Sequence, residues 1–242
     1  REMRNPIEIE FAVKLDVPPG KPKEFSFLQI RPIIQSIETV SKLPENLDVS
    51  ETIIYSESAL GNGKYENIFD VVYVKPETFN SANTRDIANA VEEINRKFVA
   101  LDKPYILVGP GRWGSSDSWL GIPVLWSQIS AAKIIVESGL NNFRIDPSQG
   151  THFFQNLTSF KVGYLTINPF IDDGFFDVDY LNKHEAVFED SYLRHISFKN
   201  ALTAIIDGEN NKAAIFKEGI SLDNSASNIE ESFEELPPEG FM

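Results

Sequence analysis

Cysteine is absent from the 242 residues. Without thiols there are no disulfides, no thiolate zinc sites, no iron–sulfur clusters and no cysteine nucleophile. A thiol-free chain suits a reducing compartment, which makes the cytoplasm the expected location. Basic residues are also scarce. Lys and Arg number 22 against 36 Asp and Glu, so the net charge is −14 and the pI is about 4.7. A polyanion such as DNA is repelled by that field, and no Lys/Arg cluster offers it a local groove; nucleic acid is not an expected partner. Nor is a membrane, because no apolar run approaches the ~18 residues a spanning helix needs. The opening residues, from Arg1, read as the interior of a longer protein rather than as a signal peptide. What remains is ordinary globular composition, 42% hydrophobic and 24% charged, enough to bury a core. A mass of 27.3 kDa is one large domain, or one domain and a piece of another.

Hydrophobic periodicity divides the chain into three parts. In residues 1–45, Ile7 to Val13 and Phe25 to Arg31 alternate apolar and polar around a turn-rich stretch, Asp16 to Lys23. That pattern predicts a β-hairpin, ended by Pro32, which has no ladder N–H. Residues 46–222 mix two periods. Thr52–Tyr55, Phe69–Val74, Tyr105–Val108 and Val162–Ile167 read as strands, and Ala132–Val136 as a strand or a short helix. Ile87, Val91, Ile94 and Phe98 mark one face of a helix over Asn83–Ala100, and Thr151–Phe160 reads as a second helix. Leu202–Ile206 and Ala213–Phe216 flank Asp207-Gly208-Glu209-Asn210-Asn211, a hairpin signal. The expected fold class is mixed α/β, a layered α/β domain with parallel pairings preceded by a hairpin. From Ala226 to Met242 there are five glutamates and no Lys or Arg, so residues 223–242 read as a disordered acidic tail.

The hairpin holds Glu8 and Glu10 on one strand and Gln29 and Arg31 on the other. Residues two apart on a strand share a face. If the strands pair, two carboxylates lie near a guanidinium and an amide. Hard carboxylate oxygens suit Mg²⁺ and a guanidinium fork suits phosphate; the plainer alternative is an exposed polar face with a cross-strand ion pair. Glu8-Ile9-Glu10-Phe11 followed by Leu28-Gln29-Ile30-Arg31-Pro32 resembles the last hairpin of the ATP-grasp domain of phosphoenolpyruvate synthase and pyruvate phosphate dikinase. That family moves phosphate from ATP to a carrier histidine and on to pyruvate, or the reverse. The resemblance covers Asn5 to Ile33. It implies that Glu10 binds Mg²⁺ with help from Glu8, that Gln29 and Arg31 contact the phosphates of ATP, and that an upstream ATP-grasp domain of the same polypeptide is the partner. The chain departs from the family in its longer inter-strand loop, in lacking a Thr-Ser-His-Ala carrier motif, and in lacking the cysteine of the pyruvate-binding barrel. By itself, therefore, the chain is expected to be inactive.

Two further segments carry candidate chemistry. Val108-Gly109-Pro110-Gly111-Arg112-Trp113-Gly114-Ser115-Ser116 follows a buried strand. Its glycines permit close backbone approach, so Gly109, Gly111, Ser115 and Arg112 are candidates for a phosphorylated small molecule. It is neither a Walker A loop nor a dinucleotide fingerprint, and a rigid turn with Trp113 in the core is an equal reading. Asp146 to Asn156 looks like a loop entering a helix, with His152 in the first turn, able to bind an anion or move a proton, or simply packed beside Phe153 and Phe154. His184 and His195 read as surface residues. The reading is thus an ATP- and Mg²⁺-dependent phosphotransferase, with His152 and Arg112 as its catalytic candidates in this chain. The rival is a non-catalytic regulatory or ligand-binding module, and the composition also allows a homo-oligomer.

Overall fold

The computed structural model describes residues 7–18, 20–32, 41–117, 119–139, 144–145, 157 and 161–220. The fold is mixed α/β, with a large sheet and one long helix. The expected helix over Thr151–Phe160 lies outside the described residues except for Leu157, and the acidic tail lies wholly outside them.

The first two strands, β1 (Ile7–Lys14) and β2 (Glu24–Pro32), form a separate antiparallel ribbon. The ladder pairs Ile9 with Ile30 and Glu10 with Gln29, then Phe11 with Phe27, so Leu28 has no opposite number. That bulge reverses the parity of β2. Ile9, Phe11, Val13, Phe25 and Phe27 consequently share one face, although strict alternation would place Phe25 and Phe27 with positions 29 and 31. Phe11 stacks on Phe25 at 5.0 Å, and Phe27 meets Phe25 edge-on at 4.9 Å. All three rings are more than half exposed.

The main sheet uses β3 (Thr52–Ser56), β4 (Ser58–Leu60), β5 (Gly63–Val74), β6 (Tyr105–Pro110), β9 (Ala132–Ser138), β10 (Gly163–Ile167), β11 (Phe175–Phe176), β12 (Ala186–Glu189), β13 (Leu193–Asp207) and β14 (Lys212–Phe216). Its order is β11-β3-β14-β13-β5-β6-β9-β10-β4, with β12 beside β13. The pairings β5–β6, β6–β9 and β9–β10 are parallel, and the others antiparallel. β3 and β4 stand near opposite ends of that order, yet only Glu57 separates them in the chain. The sheet therefore curls until its ends meet. The Ser56 hydroxyl donates to the Thr166 carbonyl at 2.7 Å across the seam.

Alternation then sorts side chains into two layers. Val71, Tyr73, Ile106, Val108, Ile134, Val136, Leu165 and Ile167 point into the closed sheet. Val72, Val74, Tyr105, Leu107, Ile135 and Tyr164 point outward. The outer layer is covered by α1 (Thr84–Leu101), whose buried face is Ile87, Val91, Ile94 and Phe98, as the period predicts. Each such side chain contributes roughly 1.5–3 kcal/mol on burial. The helix ends at Asp102, in the left-handed region at φ 50°, whose N–H returns to Phe98 and Val99. A short helix, α2 (Val178–Asn182), is capped by the Asp177 carboxylate, which accepts the Tyr180 N–H at 2.9 Å. The expected alternation of strands and helices is largely replaced by antiparallel strands: β13 runs fifteen residues and pairs with three neighbours.

Two carboxylates respond to pH in a defined direction. Burial alone would raise Asp207, but the Asn210 side chain and nearby backbone N–H groups outweigh it and hold the carboxyl below its ordinary value. Asp177 is likewise held down, by Lys217 at 2.6 Å, against burial. A folded-state pKa below the unfolded one stabilises the fold above the unfolded pKa, near 3.9, and that contribution disappears as pH falls through the folded value. Chemical denaturation at stepped pH is expected to show stability falling below about pH 4. Asp207→Asn should be less stable at neutral pH and show a shallower acid slope.

Candidate functional site

The ribbon and the outer rim of the closed sheet hold the candidate residues. In the ribbon, Glu8 pairs with Arg31 and Glu10 with Gln29. Opposed residues of an antiparallel pair share a face, so all four positions lie on the face opposite the phenyl rings. The Glu10 side chain is exposed. Among the described residues, no three His, Asp or Glu side chains gather closely enough to hold a metal by themselves, and no helix is long and apolar enough to cross a membrane.

At the rim, the parallel strands β6, β9 and β10 end side by side, the edge where open α/β sheets take ligands. The chain leaves β6 through Gly109, Pro110 and Gly111 into a two-residue strand β7 (Arg112–Trp113), which pairs in parallel with β8 (Gly121–Ile122). Gly111 has φ +77°, a conformation glycine adopts without strain. A Cβ on Gly109 would lie 2.3 Å from the Trp113 ring, and one on Gly111 would lie 2.6 Å from the Gly121 Cα. These glycines make room for the protein's own indole and backbone.

The backbone donors of the turn are engaged as well. The N–H groups of Gly111, Arg112 and Gly114 donate to the carbonyls of Ser138, Leu120 and Ile122 at 3.1, 2.8 and 2.8 Å. The Trp113 N–H donates to the Glu137 carboxylate at 2.9 Å. The backbone N–H groups of residues 111 to 114 are thus engaged by the fold, and the side chains carry what chemistry the turn offers. Arg112 is half-buried. Ser115 forms a local turn, its hydroxyl donating to the Asp117 carbonyl at 3.0 Å. His152 lies outside the described residues.

Glu137, which the sequence reading passed over, is fully buried at the end of β9. One carboxylate oxygen accepts the Trp113 N–H and the other accepts the Tyr164 hydroxyl at 2.6 Å. The Thr166 hydroxyl lies 3.4 Å from that of Tyr164, and the Trp113 indole N–H donates to the Val136 carbonyl at 3.1 Å. Burying a carboxylate costs free energy unless donors surround it. Here the Trp113 N–H comes from β7 and the Tyr164 hydroxyl from β10, so the carboxylate on β9 ties the turn to the neighbouring strand. The available signal was an acidic residue closing the apolar run Ile134-Ile135-Val136.

The two other histidines are not plain surface groups. The His195 ring nitrogen lies 2.8 Å from Asp70, both largely buried, with Phe98 against the ring edge. His184 packs between Tyr180 and Phe198. Asp70 is 125 residues from His195 in the chain, so only the strand pairing reveals the contact.

No family model, curated protein or solved structure matches the chain.

The packing predicts how the rim fails. Glu137→Leu leaves the buried Tyr164 hydroxyl and Trp113 N–H without their acceptor, and it should lower stability by about 2–5 kcal/mol. Tyr164→Phe removes one donor and should cost about 1–3 kcal/mol. Gly109→Ala forces the Trp113 ring to move, at about 1–3 kcal/mol. Urea denaturation followed by near-UV circular dichroism of the tryptophans checks all three.

Proposed function

We propose that this chain contributes one wall of a magnesium–nucleotide site to an ATP-dependent phosphotransferase of the phosphoenolpyruvate synthase and pyruvate phosphate dikinase type. The carrying observation is the register of the ribbon, which sets Glu8 against Arg31 and Glu10 against Gln29 on a single face. The donor chemistry fits. Mg²⁺ takes one or two protein carboxylates and completes its shell with phosphate oxygens and water, a number that Glu8 and Glu10 meet. When bound, the ion neutralises charge on the phosphoryl group being transferred. In this reading Glu10, with Glu8, holds the ion, while Arg31 and Gln29 orient the phosphates. The ribbon's other face supports the same division: its exposed rings, Phe11, Phe25 and Phe27, are the surface that would pack on an upstream ATP-grasp domain. A bare two-stranded ribbon is marginal in water, and such packing supplies the missing support.

A second reading concerns the closed sheet. With the N–H groups of residues 111 to 114 engaged internally, the rim suits a module that binds a small phosphorylated ligand through side chains and regulates the phosphotransferase. Arg112 is its anchor, with His152 as the catalytic candidate should the rim instead take part in chemistry.

The chain alone is expected to hydrolyse no ATP. In the polypeptide that includes the ATP-grasp half, Glu10→Gln should reduce ATP turnover by on the order of a hundredfold or more and raise the Mg²⁺ requirement, and Arg31→Ala should raise KM for ATP. Wild-type turnover in both variants, or ATP turnover by the present chain alone, would remove the reading.

A further inference from the structure

On the edge away from β5, β13 takes two neighbours in succession. β12 pairs with Arg194 to Ile196, and β14 pairs with Ala204 to Asp207. Between them residues 197–203 have no strand on that edge, and a cleft of about 570 Å³ opens there, lined from three elements by His184, Glu185, Phe198, Lys199 and Glu218. That volume falls within the range of small-molecule sites.

The walls of the cleft are braced. A carbonyl can only accept, so the His184 Nδ1–H donates to the Tyr180 carbonyl at 2.9 Å. In the neutral ring the lone pair then sits on Nε2. The Tyr180 and Phe198 rings meet the imidazole at 4.6 and 4.9 Å, both at 62°. The Tyr180 hydroxyl accepts the Glu218 N–H at 3.3 Å, and one Glu218 carboxylate oxygen accepts the Asn200 N–H. Imidazole, phenyl ring and carboxylate thus hold one another in place around a single space.

What the fold leaves over defines a ligand. Among the described residues, neither His184 Nε2 nor the second Glu218 oxygen has a partner, and no ion pair joins Lys199 to Glu185 or Glu218, although all three line the cleft. The two acceptors match a cationic donor, and the ammonium of Lys199 matches an anion. Phe198 and the neighbouring Ala186 add apolar surface. A simple anion meets two glutamates here, and a simple cation meets a lysine. A molecule with both charges and an apolar body suits every group.

We propose that this cleft binds an α-amino acid with a large apolar side chain. Its ammonium would lie on Glu218 and His184 Nε2, its carboxylate on Lys199, and its side chain against Phe198 and Ala186. Asn200 holds Glu218 and directly follows Lys199, so the two protein charges stand at adjoining positions, as the two charges of an α-amino acid do. The proposal rests on neither the ribbon nor the rim.

The test is calorimetric titration of the whole chain with L-phenylalanine, and with phenethylamine and phenylacetate, which keep the ring and carry one charge each. L-Phenylalanine should bind roughly tenfold more tightly than either, the order of one charge-assisted contact. Lys199→Gln should weaken L-phenylalanine on the order of tenfold and leave phenethylamine no weaker than in wild type. Glu218→Gln, whose amide oxygen can still accept the Asn200 N–H, should weaken L-phenylalanine and phenethylamine and leave phenylacetate no weaker. Lys199 is exposed, so its variant keeps the wild-type melting temperature and decides the matter even where Glu218→Gln is less stable. The proposal is overturned if L-phenylalanine does not bind at millimolar concentration, if either singly charged compound binds as tightly, or if Lys199→Gln binds L-phenylalanine as wild type does.

Discussion

The pairing of Ser58–Thr166 and its neighbours across the seam is the constraint from which the rest of the domain follows. Were β4 to leave β10, the strand order would be an open sheet with two unpaired edges and an inner layer facing water. Closure removes those edges and makes the inner layer a core filled by Ile, Val and Leu. It also forces the outer layer to find a separate cover. That cover is α1 on one flank and the segment after β6 on the other, with Trp113, Ile122 and Val124 in the outer core alongside Val91 and Phe98.

The segment after β6 is therefore structural before it is anything else. The Glu137 carboxylate, the Trp113 ring over Gly109 and the Gly111–Gly121 contact hold it onto the ends of three parallel strands. A turn fixed this firmly has little freedom to wrap a ligand with its backbone. It does hold side chains at set places, and rigid elements make the more exact supports for a site.

Much of this was legible in the sequence where local pattern decides. The face of α1, the continuous apolar run of β6, the strand β10, the Asp207 hairpin and the stop at Pro32 all follow from periodicity and from residues with one strong preference. The seam was not legible, because β4 is three residues long and its partner lies a hundred positions away. The first half of β13 was missed because Arg194, His195, Ser197, Lys199 and Asn200 break up its apolar residues; its pairing with β5 and β12 outweighs composition there. The Asp70–His195 contact and the burial of Glu137 are long-range for the same reason. The glycines of the 109–111 turn were noticed for their permissiveness, which says that something comes close without saying what; here it is an indole and another stretch of backbone.

The unpaired Leu28 has a consequence for how the ribbon tolerates insertion and deletion. Because β2 changes parity at that one residue, the strand is in effect two half-strands glued out of phase. Loss of the residue would make Phe27 and Gln29 neighbours, and ordinary alternation would then keep positions 29 and 31 on the side away from the phenyl rings; drawing Leu28 into the ladder instead would carry them across to the rings and abolish the division between a wet and a greasy surface. What the two faces require, at this point of the chain, is that Leu28 stay outside the ladder.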